Sequence, residues 1–104
     1  MNFNDYQSMA RDFAIYKPAH AVIYPALGLA GEAGEVAEKV KKHLRDGKAL
    51  DVSGVAKELG DVLWYIANLA SDMGVTLQEI ADLNIDKLLS RQDRGVLKGS
   101  GDDR

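Results

Sequence analysis

The chain has 104 residues, a length that fits one domain and is short for two. Its 13 lysines and arginines and 16 aspartates and glutamates give a net charge of −3, which argues against a protein that binds duplex nucleic acid. The absence of cysteine excludes disulfides, thiolate metal sites and cysteine nucleophiles.

The first residues are polar and acidic and do not resemble a secretory signal. No apolar run approaches the roughly 20 residues that are needed to cross a bilayer. We therefore expect a cytoplasmic protein that has no membrane partner.

Apolar residues at helical spacing predict a first helix over about residues 4–16. Lys17-Pro18 should end it, because the residue before a proline avoids helical geometry. A second helix is predicted over about residues 24–45, and its last turns are rich in lysine and arginine, which suits a helix C-terminus.

The third helix is predicted over about residues 52–73, with Gly74 as its C-terminal cap. Thr76-x-x-Glu79 has the form of a capping box and starts a fourth helix, which runs to about residue 92. No segment shows the alternation of a β-strand. We predict an all-α protein with a four-helix domain at residues 1–93 and a flexible, glycine-rich tail at residues 94–104.

Two pairs of acids lie within the second and third predicted helices: Glu32-x-x-Glu35 and Glu58-x-x-Asp61. The three-residue spacing places both members of a pair on one helix face. Both pairs lie among small and apolar residues, where an unneutralised charge is costly. Carboxylate oxygens in this setting are ligands for hard divalent cations, with Mg²⁺ as the preferred ion and Mn²⁺ as a substitute.

A short connection around Asp46-Gly47 predicts that the second and third helices pack antiparallel. In that register Glu32 faces Asp61, and Glu35 faces Glu58, so the two pairs lie level with each other. Each glycine inside a helix costs roughly 1 kcal/mol relative to alanine, so we expect these positions to serve close helix contact. The glycines concerned are Gly28, Gly31, Gly34 and Gly60.

Other interpretations of the acids are weaker. A single Glu-x-x-Glu is usually a solvated helix face, but two pairs in register are much less often accidental. A ferritin-like di-iron site would need Glu-x-x-His, and neither His20 nor His43 stands at that spacing.

The runs 27–38 and 57–65 together resemble the MazG-type nucleotide pyrophosphohydrolases of the all-α NTP pyrophosphatase superfamily. The shared signature is Glu-x-x-Glu, a gap of variable length and then Glu-x-x-Asp. The resemblance implies a four-helix MazG-like bundle with an antiparallel central hairpin, assembled as a homodimer or homotetramer. It also implies Mg²⁺-dependent hydrolysis of (deoxy)nucleoside triphosphates to the monophosphate and pyrophosphate, in housekeeping or control of the nucleotide pool.

The resemblance implies that the metal ligands are the four acids of the two pairs: Glu32, Glu35, Glu58 and Asp61. A carboxylate of the second helix would accept the proton of the attacking water. Glu35 and Glu38 are both candidates for this catalytic role, and their spacing does not choose between them.

The resemblance places a lysine and an arginine of the last helix on the substrate phosphates. Asn84, Lys87 and Arg91 share one face of that helix, and arginine can bind phosphate oxygens bidentately. The alternative for Lys87 and Arg91 is a favourable interaction with the C-terminus of their own helix. Asn68 and Tyr65 are further candidates for contact with the sugar or base, with interhelical hydrogen bonding as the alternative.

The tail is either a disordered end or a clamp that orders over the triphosphate. Two further functional readings stay open. One keeps the chemistry on a specialised substrate such as dUTP, dCTP, an oxidised nucleotide or (p)ppGpp. The other is a non-catalytic helical dimerisation or regulatory module whose acids bind nothing.

Overall fold

The computed structural model of the protein describes residues 1–104 and contains four α-helices and one short 3-10 helix. The α-helices are α1 (Phe3–Asp12), α2 (Ile23–Asp46), α3 (Val52–Met73) and α4 (Leu77–Asp93). The prediction of an all-α protein with four helices is therefore confirmed. Among these helices, not one combines the length and the apolar character that crossing a bilayer requires.

The helix ends follow the capping signals in the sequence. The Thr76 hydroxyl accepts a hydrogen bond from the backbone N–H of Glu79 at 3.0 Å and so caps the start of α4. Helices α2 and α3 end at Gly47 and Gly74, whose φ angles of 65° and 75° are left-handed. Glycine is favoured there because it has no Cβ to collide with the preceding turn.

Helix α1 ends at Asp12, earlier than the predicted end at Tyr16. The helical spacing of apolar residues continues beyond Asp12, but the chain leaves the helix and turns toward α3. There the Tyr16 hydroxyl donates a hydrogen bond to Asp72 at 2.7 Å. A tertiary contact thus overrides the local periodicity.

Helices α2 and α3 pack side by side as an antiparallel hairpin, α1 packs against α3, and α4 packs mainly against α1. The small buried core lies where α1 meets the end of α3 and the start of α4. It consists of four residues: Ala10, Ala67, Ala70 and Leu77. Larger apolar side chains pack around it and remain partly exposed: Tyr6, Trp64, Ile66, Val75 and Ile80.

Gln7 of α1 joins α1 to the junction of α3 and α4. Its amide nitrogen donates to the carbonyl of Val75 at 2.9 Å and to the Ser71 hydroxyl at 3.0 Å. Its amide oxygen accepts from the backbone N–H of Leu77 at 2.9 Å. This N–H is one of the donors that a helix start leaves without an internal partner. The buried amide therefore satisfies the backbone at the point where the chain turns from α3 into α4.

Asp72 of α3 fixes the segment between α1 and α2. Its side chain has no exposed surface, and it forms an ion pair with Arg11 at 2.8 Å. The same carboxylate accepts hydrogen bonds from the Tyr16 hydroxyl at 2.7 Å and from the backbone N–H of Val22 at 2.9 Å. Val22 has a φ of 68°, which is strained for a β-branched residue. The contact with Asp72 therefore helps to hold an unfavourable backbone conformation just before α2.

Only one glycine of the hairpin makes the close contact that we expected of four. A Cβ added to Gly28 would overlap the ring of Tyr65 on α3, whereas one added to Gly31, Gly34 or Gly60 would meet no atom within 4 Å. The expectation was therefore correct for Gly28 and wrong for the other three within a single chain. Gly28 lies one turn before Glu32 and Tyr65 one turn after Asp61, so this contact follows the predicted antiparallel register.

The substitution Gly28→Ala should destabilise the protein by about 1–3 kcal/mol, because the Tyr65 ring or the α2 backbone must move. Gly34→Ala is the matched control, since its methyl group enters open space on the same helix and should stabilise the protein by up to about 1 kcal/mol. Urea unfolding measures both changes. Equal stability of the two variants would contradict the contact.

Asp72 should make stability depend on pH in the acid range. Burial raises the pKa of Asp72, but hydrogen bonds from Val22, Tyr16 and Arg11 outweigh burial and leave it below the ordinary 3.8. The carboxylate therefore stabilises the folded state above pH 3.8, and this contribution disappears as the pH falls through the lowered pKa.

Asp72→Asn should accordingly cost about 2 kcal/mol at neutral pH, because bonds to a charged acceptor are lost. The loss should shrink as the solution is acidified, and thermal unfolding at several pH values measures it. Asp12→Asn, which changes an exposed carboxylate, is the control. An Asp72→Asn variant as stable as this control at neutral pH would show the prediction to be wrong.

Candidate metal centre and phosphate-binding face

Three carboxylates from two helices converge near the middle of the hairpin. Glu32 lies on α2, and Glu58 and Asp61 lie on α3. One oxygen atom of each side chain lies within 4.8 Å of the other two. Ligands on opposite sides of a Mg²⁺ ion lie about 4.2 Å apart, so these oxygens need only a small inward movement to bind such an ion. The all-oxygen donor set therefore fits a hard divalent cation.

The hairpin register explains why these residues meet. The three-residue spacing directs Glu58 and Asp61 to the same face of α3. The close approach of Gly28 to Tyr65, one turn away, brings the α2 backbone near enough for Glu32 to reach that face. Glu32 and Glu58 are half-buried, and Asp61 is exposed.

The acids repel each other. The pKa of Glu32 is raised by partial desolvation, then by a hydrogen bond with Glu58, and then by the negative charges of Asp61, Glu58 and Glu35. A raised pKa means that the neighbours disfavour the charged form of this carboxylate. A bound cation would offset that repulsion, so the electrostatics and the donor set favour the same kind of ligand.

Glu35 and Glu38, the two candidate bases, lie outside this three-carboxylate cluster. Glu35 is exposed and is not among the three carboxylates whose oxygen atoms meet. Glu38 forms an ion pair with Lys41 at 3.0 Å. The hydrogen bond and charge of Lys41 lower the pKa of Glu38, which makes it a weaker base.

Asn68 does not lie on an accessible face. Its side chain is fully buried, its amide oxygen accepts from Arg11 at 3.3 Å, and its amide nitrogen donates to the carbonyl of Trp64 at 3.1 Å. This burial does not support the expected contact with substrate. The structure shows instead the interhelical hydrogen bond that was the alternative.

Tyr65 lies beside the acids and belongs to a short series of aromatic rings. Burial raises the pKa of Tyr65 most, and contact with Tyr24 and the charges of Glu32 and Asp61 raise it further. The Tyr24 ring lies 6.3 Å from that of Tyr65 and stacks on Tyr16 at 4.9 Å. The spacing of Tyr16 and Tyr24 in the sequence did not show that their rings would meet, because their proximity depends on the turn held by Asp72.

Asn84, Lys87 and Arg91 share one face of α4, as the spacing predicted. Asn84 and Lys87 line an open concavity of about 460 Å³ together with Ile80 and Leu83, and none of the acids lines it. This concavity therefore does not bring Asn84 and Lys87 together with the carboxylates of the hairpin.

Lys87 and Arg91 contact an acid of the tail that the sequence analysis did not single out. Lys87 Nζ lies 3.0 Å from Asp102 Oδ1, and Arg91 Nη2 lies 3.4 Å from the same atom. Arg91 Nη2 also donates to the carbonyl of Asp102 at 3.0 Å. The only signal in the sequence was the presence of two aspartates in the tail, which does not specify a partner.

Comparison with known proteins gives a consistent assignment. The family model described as the MazG nucleotide pyrophosphohydrolase domain matches residues 25–96, which include both acid pairs and the cations of α4. The Gene 37 protein of Mycobacterium phage L5 is 45% identical over 114 aligned residues, which cover 100% of both chains.

The crystal structure of iMazG from Vibrio DAT 722 matches this structure with a TM-score of 0.64 and 32% identity. The match covers 89% of this chain and 97% of that chain. The resemblance expected from the two acid pairs is thereby confirmed. The chain belongs to the MazG nucleotide pyrophosphohydrolase domain family.

Proposed function

We propose that the protein is a Mg²⁺-dependent enzyme that hydrolyses a (deoxy)nucleoside triphosphate to the nucleoside monophosphate and pyrophosphate. The observation that carries this proposal is the convergence of Glu32, Glu58 and Asp61 to within 4.8 Å of one another. A helical module whose acids bind nothing would gain no advantage from this mutual repulsion.

Glu32, Glu58 and Asp61 would hold the ion, and rotation of the exposed Glu35 side chain would add a fourth carboxylate. A bound Mg²⁺ would neutralise phosphate oxygens and lower the pKa of a coordinated water. Because α2 and α3 pack against each other, the carboxylates would keep their positions while charge develops on the phosphates.

Glu35 is the better candidate for the base that accepts the proton of the attacking water. It has no ion-pair partner in the structure and lies one turn from Glu32. Glu38 is paired with Lys41, and this neighbouring cation makes protonation of the carboxylate less favourable. Lys87, Arg91 and Asn84 would bind the phosphate chain from α4.

A second copy of the chain would complete this site. The radius of gyration is 16.4 Å, whereas a compact chain of this length has about 13 Å. Only 8 of 104 residues are buried, and Leu83 beside the α4 cations is 69% exposed. We propose that a homodimer or homotetramer covers this apolar surface and brings the cations of α4 to the carboxylates of a neighbouring hairpin.

Glu58→Gln should reduce kcat/KM for nucleotide hydrolysis at least about 100-fold. Removal of a metal ligand should lower activity more than a change in a residue that only orients a ligand. Glu79→Gln is the control, since it makes the same chemical change on α4 at an exposed position. The measurement is pyrophosphate release from a panel of nucleotides that includes dUTP, dCTP, an oxidised nucleotide and (p)ppGpp. Mg²⁺ titration by calorimetry should show weaker binding to Glu58→Gln alone.

Excess EDTA should abolish the activity. Equal rates of pyrophosphate release with EDTA and with Mg²⁺ would contradict the metal mechanism, and inactivity on every nucleotide would contradict the proposed reaction. The same panel identifies the preferred base and sugar.

The assembly can be tested by light scattering during gel filtration at micromolar concentration, where we expect the mass of two or four chains. Leu83→Arg should shift the protein toward one chain and lower its activity, because a charge would enter the covered surface. Gln92→Arg adds the same charge at a polar position of α4 and should leave the mass unchanged. A wild-type protein that runs as one chain would contradict the assembly.

A further inference from the structure

The two cations proposed to bind phosphate are already bound to an anion of their own chain. The carboxylate of Asp102 lies between Lys87 Nζ, at 3.0 Å, and Arg91 Nη2, at 3.4 Å. Arg91 also donates to the carbonyls of Gly101 and Asp102, at 3.2 and 3.0 Å. An aspartate oxygen and two carbonyl oxygens thus stand where phosphate oxygens would be bound.

This contact belongs to a folded segment. The segment 95–104 turns back on itself, and Arg104 closes it by donating hydrogen bonds to backbone carbonyls. The acceptors are Val96 at 3.1 Å, Leu97 at 3.1 Å and Gly101 at 2.6 Å. Arg94 donates to the carbonyl of Arg104 at 2.7 Å, which joins the end of the chain to α4. The closed loop presents Asp102 to Lys87 and Arg91.

The cations and the anion differ in their exposure. The Arg91 side chain is only 6% exposed, and its Nε has no hydrogen-bond partner. Asp102 is 84% exposed, and the hydrogen bond and charge of Lys87, followed by those of Arg91, lower its pKa and keep it ionised. Arg91 is therefore a buried cation with a spare donor, held by a carboxylate that water already reaches.

We propose that Asp102 is an internal competitor for the anion site formed by Lys87 and Arg91, and that a polyphosphate displaces the loop 95–104 when it binds. A solvated ion pair with one carboxylate is weak, whereas a polyphosphate offers several charges and many oxygens. The loop thus keeps the site closed to weaker anions and opens for the phosphate chain. The inference rests on the proposed function in one respect only: it takes the phosphate chain to be part of the substrate.

Inorganic tripolyphosphate in EDTA tests the inference without metal or catalysis. Asp102→Asn should bind it about twofold to fivefold more tightly than the wild type, as expected when a surface ion pair stops competing. Asp103→Asn is the control, because it removes the same charge from the neighbouring residue, which forms no ion pair or hydrogen bond with Lys87 or Arg91. Calorimetry measures the three dissociation constants.

In a Lys87→Gln background, Asp102→Asn should bring a smaller gain than it brings in the wild type, because one of the two cations for which Asp102 competes is gone. Equal Kd changes in the Asp102 and Asp103 variants would overturn the proposal, since both would then report only net charge. Weaker binding by Asp102→Asn would also overturn it and would favour a clamp. If no variant binds tripolyphosphate, the proposal is overturned as well.

Backbone NMR of the full chain gives a second readout. The amides of residues 99–104 should be ordered in the wild type and become mobile when tripolyphosphate is added. A segment that stays ordered with saturating tripolyphosphate would overturn the displacement.

Nucleotide kinetics separate this inference from the proposed function. Asp102→Asn should lower KM about twofold to fivefold with an unchanged kcat. If no nucleotide is hydrolysed by any variant, the proposed reaction fails, while the tripolyphosphate measurement still decides the role of Asp102.

Discussion

The contact between Gly28 and Tyr65 sets the distance between α2 and α3, and the rest of the site depends on that distance. The aromatic ring occupies the space that a side chain at position 28 would need, so the two backbones approach closely at this level. One turn along, Glu32 reaches across to Glu58 and Asp61. A wider separation would leave these acids as ordinary solvated side chains, and no oxygen cluster for a cation would exist.

Different interactions hold the α2–α3 hairpin and the turn that precedes it. The hairpin is held by helix packing, whereas the turn before α2 is held by the buried carboxylate of Asp72 and its bonds to Tyr16 and Val22. This turn also stacks the rings of Tyr16 and Tyr24 beside Tyr65. Tyr65 therefore links the acid cluster to these rings, and the placement of Tyr16 and Tyr24 depends on a carboxylate far along the chain.

Much of this architecture could be predicted from the sequence because its causes are local. The bounds of α3 were predicted correctly, since Gly74 is a cap that acts on its own helix. Local reasoning failed where distant residues meet. The chain after α1 bonds to Asp72 through Tyr16, Asn68 accepts a hydrogen bond from Arg11 of α1, and Lys87 pairs with Asp102 of the tail. Periodicity indicates which face of a helix a residue occupies, but it does not identify the neighbour on that face.

The small core has a consequence for the protein in the cell. A chain with 8 buried residues of 104 derives little folding free energy from its own packing. Any apolar surface that it covers against another copy would add directly to its stability by mass action. The folded fraction would then rise with the rate of synthesis, and chains made at a low level would be degraded before they could act on nucleotides.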